Sequence, residues 1–131
     1  MGKFNQASLV TINSAVEGFV PQAVWLQGRR AEVVWRSRLG GVQIVSAKQV
    51  APNLITILLN DGQVFKCKSE TFGGSFPPAF VDAIRSAFMN STTVELCVAV
   101  SSGGRAAEGF FCGLREASST TSGLVIGQCD L

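Results

Sequence analysis

The chain contains no histidine and no tyrosine, and only 15% of its 131 residues are charged. Without histidine it lacks the one side chain whose ordinary pKa lies near neutrality. Base catalysis at neutral pH, and activation of a cysteine nucleophile, then have no obvious agent. The acids Asp61, Glu70, Asp82, Glu95, Glu108 and Glu116 are scattered and form no evident catalytic pair. No G-x-S-x-G string occurs, and Ser101-Ser102-Gly103-Gly104 lacks the lysine of a phosphate-binding loop. An enzyme is therefore not expected, and no cofactor is called for.

Strong charge and long apolar runs are missing too. A net charge of +2 does not by itself point to nucleic acid or acidic lipid. No apolar run approaches the roughly 18–20 residues that span a bilayer, so no membrane insertion is expected. Met1-Gly2-Lys3-Phe4-Asn5-Gln6 lacks the apolar core of a secretory signal, and Gln6 stands where a myristoylation motif wants Ser or Thr. Two locations stay open: cytoplasmic, or secreted or periplasmic with a signal removed and replaced by a start Met. Cys67, Cys97, Cys112 and Cys129 include no C-x-x-C pair, so no metal site is expected. Their even number fits two disulfides, and it equally fits four buried thiols in a cytosolic protein.

What is present is apolar and turn-punctuated. Hydrophobic residues make up 47% of the chain, too many for disorder and enough for one domain with a real core. Low charge with so much apolar content places apolar surface at an oligomer interface. Residues 1–131 read as one domain: 1–38 an N-terminal extension or hairpin, and 39–131 a small barrel. Within the first part, Val20–Gln27 and Ala31–Arg38 flank Gly28-Arg29-Arg30 and suit a hairpin. The cluster Arg29, Arg30, Arg36 and Arg38 is basic enough to contact phosphate, though such a cluster is more often a solvated turn and strand edge.

The clearest stretch begins at Gly41–Val50, a strand, followed by the turn Ala51-Pro52-Asn53. Leu54–Leu59 runs into Asn60-Asp61-Gly62 and returns as Gln63–Lys68, a strong hairpin signal because glycine accepts the positive φ of a tight turn. Gly73-Gly74-Ser75-Phe76 connects to a helix over Pro77–Met89. There Phe80, Ile84, Ala87 and Phe88 form one apolar face, Ser75 is the candidate cap, Asp82 and Arg85 lie off the face, and Asn90 is the stop. Thr93–Val100 reads as the next strand. With a turn centred on Gly104-Arg105, Val98 faces Phe111 and Cys97 faces Cys112, which makes a Cys97–Cys112 disulfide geometrically possible and leaves Cys67 and Cys129. Three pairings remain open from the sequence. Ala117–Ser122 is a polar loop and Leu124–Cys129 a last strand. The inventory of six to eight strands and one helix predicts a mainly β fold, an OB-fold-like small antiparallel β-barrel plugged by the helix.

This order of elements resembles the pentameric B subunits of bacterial AB5 toxins. Ile55-Thr-Ile-Leu-Leu-Asn-Asp-Gly-Gln-Val-Phe65 is similar to the hairpin of the cholera and heat-labile enterotoxin B subunits, Phe80–Met89 to their long helix, and Val94-Glu-Leu-Cys-Val98 to the strand that follows. The likeness covers about 39–114. Met1–Val50 holds no counterpart of the enterotoxin N-terminal cysteine, and Ala99-Val100-Ser101-Ser102 stands where that family has a tryptophan. Cys67-Lys68-Ser69-Glu70 is closer to the pertussis-like branch, which binds glycans through Ser and Lys. The resemblance implies a non-catalytic cell-surface glycan-binding protein that forms a homo-oligomer, a pentamer, binds a host glycan and docks on a toxin A subunit. The candidate ligand contacts are Lys68, Ser69, Glu70 and Thr71 after the hairpin, and Ser101, Ser102 and Arg105 in the later loop. Two alternatives remain. One is an OB-fold protein binding single-stranded nucleic acid, for which Trp25 and Trp35 lie near the arginine cluster. The other is a structural or assembly protein of a phage or secretion machine.

Overall fold

A computed structural model describes residues 18–36, 41–101, 109–117 and 128–131. Over these residues the protein is mainly antiparallel β-sheet with a single α-helix. The strands are β1 (Val24–Leu26), β2 (Arg29–Arg36), β3 (Val42–Ala51), β4 (Leu54–Leu59), β5 (Val64–Lys68), β6 (Thr93–Val100), β7 (Gly113–Glu116) and β8 (Gln128–Asp130), and the helix α1 spans Pro78–Met89. A 3-10 turn at Ser69–Phe72 links β5 to the helix approach.

The first hairpin is tighter than its flanking sequence suggests. Leu26 pairs with Arg29, so only Gln27 and Gly28 make the turn. Both have positive φ, 55° and 76°, the combination that matches the right-handed twist of two strands. β2 then pairs with β6, Trp35 opposite Cys97. The described part of 1–38 is thus a hairpin built into the same sheet as the rest. The second hairpin forms where Asn60-Asp61-Gly62 reverses the chain: Leu58 pairs with Val64, and Gln63 N–H donates to Asp61 Oδ1 at 3.0 Å.

The strand order is β1-β2-β6-β3-β4-β5, with β7 added to β6 and β8 added in parallel to β3. The sheet does not close into a barrel by a continuous ladder. Residues 109–112 bridge the gap instead. Lys66 N–H donates to Gly109 O at 2.8 Å, Phe111 N–H donates to Lys66 O at 2.9 Å, and Cys112 N–H donates to Cys97 O at 2.7 Å. The register of the last pair is one residue away from the expected one, because β7 begins only at Gly113 and puts Gly113, not Cys112, opposite Cys97. Gly113 belongs there for steric reasons. A Cβ on it would stand 2.8 Å from both Phe19 O and Pro21 Cδ, and 3.2 Å from Cys97 Cβ. The expected Gly104-Arg105 turn, the 118–122 loop and Leu124–Gly127 of the last strand lie outside the described residues.

Helix α1 starts one residue later than expected. Pro77, not Ser75, is its N-cap, with no side-chain cap hydrogen bond, and Pro78 fills N1, where a missing N–H costs nothing. Asn90 ends it, donating from Nδ2 to Ser86 O at 2.9 Å. Asp82 and Arg85 pair at 2.9 Å off the apolar face. That face buries Phe80, Ala83, Ile84 and Ala87 against Ile55, Ile57, Leu59 and Phe65 of the β4–β5 hairpin and Val94, Leu96 and Leu114 of β6 and β7. Phe80 sits at the centre of an aromatic group, its ring centroid 5.0 Å from Phe72, 5.3 Å from Phe19 and 5.5 Å from Phe111. A smaller apolar group, Val24, Cys97, Ala99 and Cys112 with Trp35 packed on it, lies beside the main core.

Candidate functional site

The β1–β2 turn overhangs the end of β5 and the 3-10 turn. β1 alternates, with Val24 buried and Trp25 turned outward, 42% exposed. Between this ledge and the opposite wall lies an open cleft of about 540 Å³, lined by Trp25, Leu26, Gln27 and Gly28 on one side and Lys68, Glu70, Thr71 and Phe110 on the other, with Ala99, Phe111 and Cys112 at its base. Lys68 Nζ stands 5.5 Å from the Phe110 ring centroid, which holds the ammonium near the cleft wall by attraction to the ring face. The chemistry offered is mixed: exposed apolar and aromatic surface, one cation, one carboxylate and one hydroxyl. It can hold a polar ligand that also has an apolar face.

The seven expected contacts do not form one group. Lys68, Glu70 and Thr71 meet at this cleft. Ser69 does not: it is 3% exposed, its N–H donates to Asn53 O and its carbonyl accepts from Gly74, so its role is to fix the 3-10 turn. A side chain between two outward neighbours on a tight turn points inward, which is why the run Lys68–Thr71 is split. Ser101 lines a second hollow of about 650 Å³ on the other flank of the β1–β2 hairpin, with Arg29, Arg30 and Glu32. Ser102 and Arg105 lie outside the described residues. Trp25 was legible in the sequence only as a partner of the arginines, and Phe110 was not singled out. Trp25 reaches the cleft because β1 packs against the 3-10 turn, and Phe110 through its long-range bridge to Lys66.

All four cysteines are free thiols, Cys67, Cys97 and Cys112 buried and Cys129 half-buried. The expected Cys67–Cys129 complement is not formed. Cys67 is on β5 and Cys129 on β8, with β4 and β3 between them, a separation along the sheet of about 14 Å against the roughly 7 Å limit for a bridge. Cys97 and Cys112 are adjacent. The Cys112 thiol donates to Cys97 sulfur, which lowers the Cys97 pKa against the opposing effect of burial and is assisted by the charge of Arg115. The same hydrogen bond, together with burial, raises that of Cys112. Burial alone pushes the Cys67 thiol up to about 12. Among the described residues no cluster of three or more potential ligands could hold a metal ion, and no helix is long and apolar enough to cross a membrane.

Compared with known proteins, the chain matches no family model, no curated protein and no solved structure. The likeness to AB5 toxin B subunits accordingly rests on the sequence strings and the order of elements.

Proposed function

We propose that this protein is a non-catalytic, oligomeric glycan-binding subunit of the AB5 B-subunit type, with the Trp25–Lys68–Glu70–Thr71–Phe110 cleft as its saccharide site. The observation that carries this reading is the pairing of an exposed tryptophan with Lys68, Glu70 and Thr71 across one open cleft. A pyranose has an apolar C–H face and an equatorial ring of hydroxyls. Trp25 suits the first, and a carboxylate, an ammonium and a hydroxyl suit the second.

Single shallow saccharide sites bind weakly, and repetition on a rigid ring supplies avidity. Val20, Val34 and Met89 are large exposed apolar residues that subunit packing would cover. The pentamer, the host glycan, the A-subunit partner and secretion belong to this reading. Helix α1 would line a pore only with the face opposite Phe80 and Ile84, which are wholly buried.

A glycan array, followed by titration of the best ligand into Trp25→Ala and Thr71→Ala variants, tests the site. Native mass spectrometry tests the ring. Capture that survives loss of Trp25, or a monomer that binds no glycan, would defeat the proposal. The nucleic-acid alternative is favoured by one feature, Arg29 and Arg30 lining the hollow behind Trp25. A salt-sensitive shift with single-stranded DNA that is lost in Arg29→Ala/Arg30→Ala would support that alternative instead.

A further inference from the structure

The outer face of β3–β4–β5 carries a concentration of one charge sign, of which the saccharide cleft uses only Lys68. Strand alternation sends Phe65 and Cys67 inward and Val64, Lys66 and Lys68 outward. Cross-strand pairing sets Lys48, Thr56 and Lys66 in one row, Lys48 opposite Thr56 and Thr56 opposite Lys66. Leu54 and Lys68 form the next row, and Leu58 and Val64, both exposed, the row on the other side. Three exposed lysines thus surround one threonine. Lys66 and Lys68 start about 7 Å apart along β5, and Lys48 about 10 Å from Lys66 across two strands. Among the described residues an acid, Asp130 on β8, stands in register beside Lys48.

This face runs into the cleft. Lys68 belongs to both, and Phe110 pairs its backbone with Lys66 while its ring lies under Lys68. We infer that the outer face of β3–β4–β5 binds the sulfate groups of a multiply sulfated saccharide chain whose end residue occupies the Trp25 cleft. The inference rests on the glycan reading of that cleft.

Three flexible ammonium groups can follow sulfates spaced along one chain, and the Thr56 hydroxyl can donate to a sulfate oxygen between them. Leu58 and Val64 offer apolar surface to the C–H faces of the sugars. A sugar is favoured over a nucleic acid in the cleft by Glu70, whose carboxylate accepts hydrogen bonds from the hydroxyls of an unsulfated end residue.

The test is calorimetric titration of the full chain with a size-defined, multiply sulfated glycosaminoglycan oligosaccharide, its fully desulfated counterpart, and a single-stranded DNA of equal charge. The proteins are the wild type, Lys48→Gln/Lys66→Gln and Trp25→Ala. Both lysines are exposed, so the double variant keeps its fold, checked by thermal melting. The sulfated chain is expected to bind at least about tenfold more tightly than the desulfated one, the double variant to abolish that advantage without changing the weaker binding, and Trp25→Ala to weaken both. Equal affinity for the two saccharides overturns the sulfate face and leaves the cleft. Failure of both by a protein that captures other glycans on an array does the same. Failure of every glycan sinks both readings. DNA bound as tightly and lost in the same double variant replaces the inference with a nucleic-acid surface.

Discussion

The Arg115 guanidinium lies 4.1 Å from the Trp35 ring centroid, and its Nε donates to Glu95 Oε1 at 3.1 Å. The contact ties three strands, β2, β6 and β7, because Glu95 pairs with Arg115 while Trp35 pairs with Cys97. The Arg115 side chain is 41% exposed, so solvent screens the ion pair. A double-mutant cycle between Arg115→Ala and Trp35→Leu, measured by urea unfolding, should return a coupling of about 0.5–1 kcal/mol. A cycle that sums to zero would show the stacking to be energetically silent.

Helix α1 separates an anchoring face from a free one. Phe80→Ala removes the ring on which Phe19, Phe72, Phe76 and Phe111 converge and is expected to cost about 3–5 kcal/mol. Met89→Ala, at the exposed end, should stay within about 0.5 kcal/mol. Chemical denaturation of the two variants measures the contrast. A large loss at Met89 in the assembled protein, absent on dilution to monomer, would identify Met89 as a subunit contact.

The turn at Gln27-Gly28 holds a non-glycine residue at φ 55°. Asparagine tolerates that conformation better than glutamine, and Asn-Gly is the preferred pair for this turn. Gln27→Asn is expected to raise the melting temperature by one or two degrees, from a gain of a few tenths of a kcal/mol. Gly28→Ala should lower stability by about 1 kcal/mol although open space surrounds its Cβ position, since the strain is in the backbone. Thermal scans of both variants check this, and equal melting for the two would contradict the turn geometry.

Cys67 makes stability fall in alkali. Its folded pKa is raised from 9.0 to about 12 by burial, so the native state favours the neutral thiol. A group raised on folding contributes fully below its unfolded pKa and loses that contribution as pH climbs through the window from about 9 to about 12. The full loss is on the order of 4 kcal/mol as an upper bound. Denaturant titrations across that window should show a shallower decline for Cys67→Val than for the wild type. Parallel curves would mean that the thiol ionises without opening the β4–β5 core.

Local rules explain why much of the fold can be read from the chain alone. Asn60-Asp61-Gly62 between alternating apolar runs, the Pro77-Pro78 entry and the Phe80/Ile84/Ala87 spacing all act within a few residues, so turn chemistry and period determined the β4–β5 hairpin and helix α1. The absence of histidine is likewise read from the chain alone. What only the tertiary structure decided depends on distant pairing. The register of β6 with β7 moved by one residue because Gly113 alone tolerates the approach of Phe19 and Pro21, and that shift set where Cys97 and Cys112 lie. Ser69 turned inward while Lys68 and Glu70 stayed out, since a 3-10 turn sends neighbouring side chains to different sides. The cleft itself joins Trp25, Lys68 and Phe110 from three distant segments. Its position follows from strand order, which is a property of the whole core and is carried by no single stretch of sequence.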